Sequence, residues 1–190
     1  MIHLTDIVWK VVVGGSGGVG KTTFLHRYLT KQFLQDTKMT VGVSFQSHKI
    51  VRQGKNITVV LWDLGGQERF RFLLSNYIKG AVAAFLMFDL SRINTLWELR
   101  EWIDLIRGMT SASIPLILIG SKLDMVLPEN LPHKNEEAEK FAEEMNLVQY
   151  ITISSKSGEN VEQAMENMID ILLWQKDQGI IQGSIAPKNL

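Results

Sequence analysis

The chain has 190 residues, 45% of them apolar and 21% charged, and its 20 basic side chains balance 20 acidic ones. One domain with its own buried core is expected, and the charge balance excludes a general attraction to nucleic acid or to an anionic membrane. There is no cysteine, which excludes disulfides, thiolate metal sites, a cysteine nucleophile and cysteine-linked lipid anchors in this chain.

In chain order, apolar strand-like stretches alternate with helix-length ones. Residues 7–13 are rich in β-branched side chains and run into glycines, and residues 20–30 read as a helix. Residues 43–52 and 56–63 read as two strands joined by a turn at Gln53-Gly54-Lys55. Residues 81–89 form a near-continuous apolar run, as a strand buried on both faces requires. Residues 95–109 carry Leu96, Leu99, Ile103 and Ile106 at helical spacing, and residues 115–120 read as another buried strand. Residues 135–146 read as a charged helix, 148–153 as a last strand and 160–176 as an amphipathic helix. The order is strand–helix–strand–strand–helix, then three strand–helix units. It predicts an α/β fold: a mostly parallel sheet with helices on both faces and an antiparallel edge hairpin. Residues 1–178 are taken as one domain and residues 179–190, with Gly, Ser and Pro, as a tail that frays. No apolar run is long enough to span a membrane and no signal peptide opens the chain, so a cytoplasmic protein is expected.

Gly15-Ser16-Gly17-Gly18-Val19-Gly20-Lys21-Thr22 has the spacing G-x-x-x-x-G-K-[ST] and lies between a predicted strand and a predicted helix. Successive backbone N–H groups curling round a polyphosphate need conformations that glycine reaches cheaply. The helix that follows points its positive end at the anion. Lys21 reaches the outer phosphates, the Thr22 hydroxyl binds magnesium, and Thr23 continues the loop.

Asp63 ends the third strand on the edge where this loop opens, and there it suits magnesium binding through a water. Gly66 brings its N–H to a terminal phosphate, and Gln67 follows, placed to orient an attacking water. Thr40, in the polar loop 38–42, closes over the metal through its hydroxyl and over the phosphate through its N–H. Losing that phosphate would free both loops.

Two further motifs follow the strand at 115–120 and the last strand. Ser121-Lys122-Leu123-Asp124 and Ser154-Ser155-Lys156 stand at carboxyl ends of strands, where such sheets bind ligands. The Asp124 carboxylate accepts from guanine N1–H and the exocyclic amine, whereas adenine would leave it unpaired. The stems of Lys122 and Lys156 cover the base faces. The Ser155 N–H donates to guanine O6, and Phe33 packs at the base edge. The four histidines, His3, His26, His48 and His133, have no metal-ligand spacing.

With these residues in order, the chain resembles a Ras-superfamily small GTPase of the Rab-like branch. The motifs that carry the resemblance are GGSGGVGKT, Thr40 with VGVSF, LWDLGGQERFRF, YIKGA, FLMFDLS, SKLD and SSK, spread over roughly residues 7–176. It implies a P-loop NTPase fold with a six-stranded sheet and one antiparallel strand. It also implies a magnesium-dependent GTP/GDP switch that slowly hydrolyses GTP. Gly17 takes the crowded position beside the terminal phosphate and, with Lys21 and Gln67, makes up the catalytic set. Phe45, Trp62 and Tyr77 form an exposed aromatic patch that protein effectors contact beside Thr40. An exchange factor and a GTPase-activating protein are implied as further partners, acting on a monomer held at membranes only through others. The possible setting is vesicle trafficking or signalling.

The departures from the family pattern are specific. Ser121 replaces the usual Asn, and having no amide it cannot make the same bridge between base and phosphate loop. Leu64-Gly65 replaces Thr-Ala, Thr37 replaces an aromatic residue, and the chain has no cysteine to prenylate. No arginine is evidently placed to act in cis, so turnover on the order of 10⁻⁴ to 10⁻² s⁻¹ is expected until a partner supplies one. Two other readings are kept. One is a nucleotide-locked scaffold without turnover; Gln67, Thr40 and Gly17 argue against it. The other is an ATP-dependent P-loop enzyme; Asp124 and the Ser154-Ser155-Lys156 motif argue against that.

Overall fold

The computed structural model describes residues 6–35, 40–66, 71–181 and 184–185. Its spine is a sheet in the order β2 (Val43–Arg52), β3 (Lys55–Leu64), β1 (Asp6–Gly14), β4 (Ala83–Asp89), β5 (Leu116–Ser121) and β6 (Gln149–Thr152). β2 runs antiparallel to β3, and the other neighbours in that row are parallel. The hairpin turns on Gln53 and Gly54, both in the left-handed region at φ 50° and 69°, as a two-residue connection requires. The fold class expected from the sequence is therefore the one observed.

Strand alternation divides the core. Val11, Val13, Phe85 and Met87 face one side with Phe24 of α1 (Lys21–Thr30) and Met168 of α6 (Val161–Asp177). Val12, Leu86 and Phe88 face the other. There they meet α2 (Arg71–Ile78), α3 (Asn94–Trp97), α4 (Leu99–Met109) and α5 (Leu131–Glu144). Every residue of β4 and of β5 is buried, which is why both read as unbroken apolar runs.

Three elements differ from their sequence reading. The helix expected over residues 95–109 is two, α3 and α4, separated at Glu98, where ψ of −16° tightens the turn and the carboxylate accepts a hydrogen bond from Ser16. The helix expected from residue 135 starts at Leu131, with a proline in its first turn, where a missing N–H is harmless. The helix after β3 was implied only by element order and occupies Arg71–Ile78. In the region expected to fray, Ile181 packs against the core, and a two-residue β7 (Ser184–Ile185) pairs antiparallel with Ile7 and Val8 of β1.

This topology sets the carboxyl ends of β1, β3, β4, β5 and β6 along one edge, so the connections that follow them share one rim.

Candidate functional site

A cavity of about 280 Å³ opens at that rim. Its phosphate-loop wall is Gly17, Gly18, Gly20, Lys21, Thr22 and Thr23. Gly20 caps α1 in the left-handed region at φ 98°, so the loop turns into the helix there and the helix begins at this wall. Lys21, 5% exposed, donates to Gly15 O at 2.6 Å and Ser16 O at 2.8 Å, which holds its ammonium on the loop's own curve. Val19 is fully buried beneath the loop and Ser16 turns away from the cavity toward Glu98.

Three oxygen-bearing side chains from three segments converge within the field of the lysine. Thr22 donates to Asp63 Oδ2 at 2.5 Å, its hydroxyl lies 2.7 Å from that of Thr40, and Thr40 Oγ1 is 3.5 Å from Asp63 Oδ2. The other carboxylate oxygen, Oδ1, is buried without a hydrogen-bond partner. Burial raises the Asp63 pKa above its ordinary value, against the opposing pull of Thr22, Lys21 and Thr40. A hard divalent cation takes oxygen donors; this all-oxygen cluster with one orphaned carboxylate oxygen fits one. Among the described residues no group of three or more His, Cys, Asp or Glu offers a competing metal site.

Gly65 and Gly66 bring the end of β3 against both loops. The Gly65 N–H donates to Gly42 O at 2.8 Å. A Cβ on Gly66 would stand 2.4 Å from Ser16 C and 2.5 Å from Gly17 N, so only glycine permits this approach. Gln67, the residue expected to orient water, lies outside the described residues, as does Thr37.

The opposite wall holds Phe33, Lys122, Asp124, Ser155 and Lys156 together, all expected there. Ser154 does not line the cavity; fully buried, it donates to Asp124 Oδ1 at 2.6 Å and so aims that carboxylate. Phe33 is 40% exposed and belongs to this wall rather than to the core. Ser121 does more than its lack of an amide suggests. Its buried hydroxyl lies 2.6 Å from Val19 O and 2.7 Å from Phe88 O, so it still ties β5 to the phosphate loop.

Asp89, which ends β4, and Ser91 and Arg92 just after it carry chemistry to which the sequence reading gave no role. Asp89, fully buried, accepts from Lys122 Nζ at 2.7 Å, Arg92 Nε at 2.9 Å, and the N–H and hydroxyl of Ser91 at 2.9 and 2.6 Å. Burial alone would raise its pKa, but hydrogen bonds from Lys122, Ser91 and Arg92 outweigh it and hold the carboxyl below its ordinary range. Their signal was position: polar residues closing a buried parallel strand and directly after it, on the ligand edge.

The aromatic patch is assembled nearby. Phe45 stacks on Trp62 at 4.9 Å, Tyr77 leans on Trp62 at 5.9 Å, and the Lys10 ammonium sits 4.3 Å over the indole. Phe45 and Tyr77 are exposed.

The family model of the Ras family matches residues 10–173. The chain belongs to the Ras family. Its relatives place it in the Rab-like branch of the Ras superfamily. It is 37% identical over 164 residues to the Ras-related protein RABA4a of Arabidopsis thaliana, covering 86% of this chain and 71% of that one. It is 36% identical over 164 residues to the Ras-related protein Rab11A of Lotus japonicus, with the same coverages of 86% and 71%. To the human Ras-related protein Rab-4B it is 35% identical over 179 residues, covering 94% and 83%. The chain is thus a small GTPase of the Rab-like type, and Ras-family GTPases in general use GTP, GDP and Mg²⁺. No helix among the described residues is long and apolar enough to cross a membrane.

Proposed function

We propose that this Rab-like GTPase is a guanine-nucleotide switch that binds GTP and GDP with Mg²⁺ and slowly hydrolyses GTP to GDP and phosphate. The observation that carries the reading is the meeting of Thr22, Thr40 and Asp63 within hydrogen-bond distance, near the charge of Lys21. A phosphate loop, the loop around Thr40 and the end of β3 have no structural need to share one oxygen cluster; a metal-bound polyphosphate supplies one.

Thr22 and Thr40 would hold magnesium directly and Asp63 through water, and the ion would neutralise phosphate charge. Lys21 holds the outer phosphates. Gly17 leaves the terminal phosphate room and Gly66 meets it with its N–H. Gln67, by its place in the sequence, orients the water. Asp124, aimed by Ser154, reads the guanine N1–H and amine; Lys122, Lys156 and Phe33 enclose the base, and the Ser155 N–H meets O6. Loss of the terminal phosphate removes what Thr40 and Gly66 hold, so the Phe45–Trp62–Tyr77 patch beside them reports the nucleotide state to effectors. An exchange factor and a GTPase-activating protein set the timing, and the setting is the trafficking or signalling role that the Rab-like resemblance implies.

The test is to denature the purified protein and identify the released nucleotide by ion-exchange chromatography. Guanosine diphosphate near one per chain is expected. Bound GTP, unchanged over hours, would favour a scaffold without turnover. Adenine nucleotide would overturn the base pocket. Asp124→Asn sharpens the test: the amide accepts from N1–H and donates to a 2-oxo group, so preference should move from guanine to xanthine nucleotide.

A further inference from the structure

Resting on the site reading above, the geometry points to Arg92 as a catalytic arginine supplied by the chain itself, acting on the phosphate end of the cavity. The sequence offered no evident candidate because Arg92 lies outside every nucleotide motif. The fold brings it in. After β4 the backbone turns back at once, Arg92 N–H donating to Asp89 O at 2.8 Å, and this swings the side chain across the front of the phosphate loop. Its Nη2 lies 3.4 Å from Gly17 O and 3.6 Å from where a Cβ on Gly18 would stand. Arg92, Gly17 and Gly66 line one cleft beside the main cavity, so the guanidinium faces the two glycines assigned to the terminal phosphate.

Two features make this a usable rather than a buried charge. The side chain is 47% exposed, so it moves without unpacking the core. Its anchor also survives its departure: Asp89 keeps Lys122 and both Ser91 donors when Arg92 leaves. Guanidinium suits the task, because its planar fork of donors matches phosphoryl oxygens and stays charged at any working pH.

In the reaction, the oxygen of water forms a bond to the terminal phosphorus. The bond from that phosphorus to the oxygen bridging the last two phosphates breaks, and its electron pair stays on the diphosphate. The water's proton passes to the released phosphate. Negative charge therefore grows on the bridging oxygen, and a cation reaching it from the Gly17 side stabilises the transition state more than the bound substrate. Intrinsic hydrolysis then belongs at the fast end of the range expected for the family fold.

The test loads wild type, Arg92→Ala and Arg92→Lys with GTP and Mg²⁺. It follows hydrolysis of the bound nucleotide in a single turnover, GDP release and the melting temperature. Arg92→Ala should hydrolyse about 10- to 100-fold more slowly, Arg92→Lys should fall between, and GDP release should change less than about twofold, the size of an exposed-charge effect. Millimolar guanidinium should speed Arg92→Ala and not wild type. Hydrolysis by Arg92→Ala within twofold of wild type overturns the assignment, as does a rise in GDP release as large as the loss of hydrolysis, which would make Arg92 a brace for the loop. A wild-type protein that binds no GTP, or binds it without turnover, overturns the site reading and this inference with it.

Discussion

The Lys122 ammonium stands 2.7 Å from the fully buried carboxylate of Asp89, and this ion pair joins the end of β5 to the end of β4. It holds one cavity-lining side chain in place through a residue that does not line the cavity. Because the Asp89 carboxyl is held below its ordinary value of 3.8, its contribution to folding is present above that value and is lost as pH falls through the lowered one. Asp89→Asn should therefore cost about 1–3 kcal/mol near neutral pH and speed nucleotide release. Urea unfolding of both proteins should show the gap closing only below about pH 4.

Ser121 has a single hydroxyl proton between two buried carbonyls, Val19 O and Phe88 O. Ser121→Ala removes the side-chain donor they share and should cost about 1–3 kcal/mol, read as a lower melting temperature of the nucleotide-free protein. Ser121→Asn supplies an amide in place of the hydroxyl and should slow GDP release, read by exchange of a fluorescent nucleotide. Faster release would show that the larger side chain crowds this 2%-exposed position instead.

The Cβ of Gly66→Ala would meet backbone atoms of Ser16 and Gly17, and backbone cannot rotate out of the way. The two segments must part. Single-turnover hydrolysis should fall by about two orders of magnitude, the value of one lost transition-state donor, while GDP still binds. Retained hydrolysis would mean that the contact is dispensable.

Phe45 is 63% exposed although it stacks on Trp62. Phe45→Ala should change stability by no more than about 1 kcal/mol, the worth of an exposed ring pair, as measured by urea unfolding. A loss of several kcal/mol would assign the ring to the core and remove it from the surface proposed to meet effectors.

The amino-acid sequence by itself determined the element order, the parallel sheet and the phosphate loop. Those features are local: β-branched runs, a glycine spacing and a helix-length stretch in direct succession fix each element through its own backbone. It also marked the two motifs that the fold brings to the cavity, Ser121–Asp124 and Ser154–Lys156, since a residue at the carboxyl end of a parallel strand lies on the ligand edge wherever the strand sits in the sheet. Tertiary structure decided what depends on distance between segments. At Glu98, between α3 and α4, the carboxylate meets the hydroxyl of Ser16, 82 positions away. Ser154 became the residue that aims Asp124 because β5 and β6 are neighbours. Arg92 acquired a place against Gly17 only because β4 lies beside β1 and the chain turns sharply after Asp89. A side chain's chemistry is written in its own residue, but what it faces is set by strands that meet only when the whole sheet has formed.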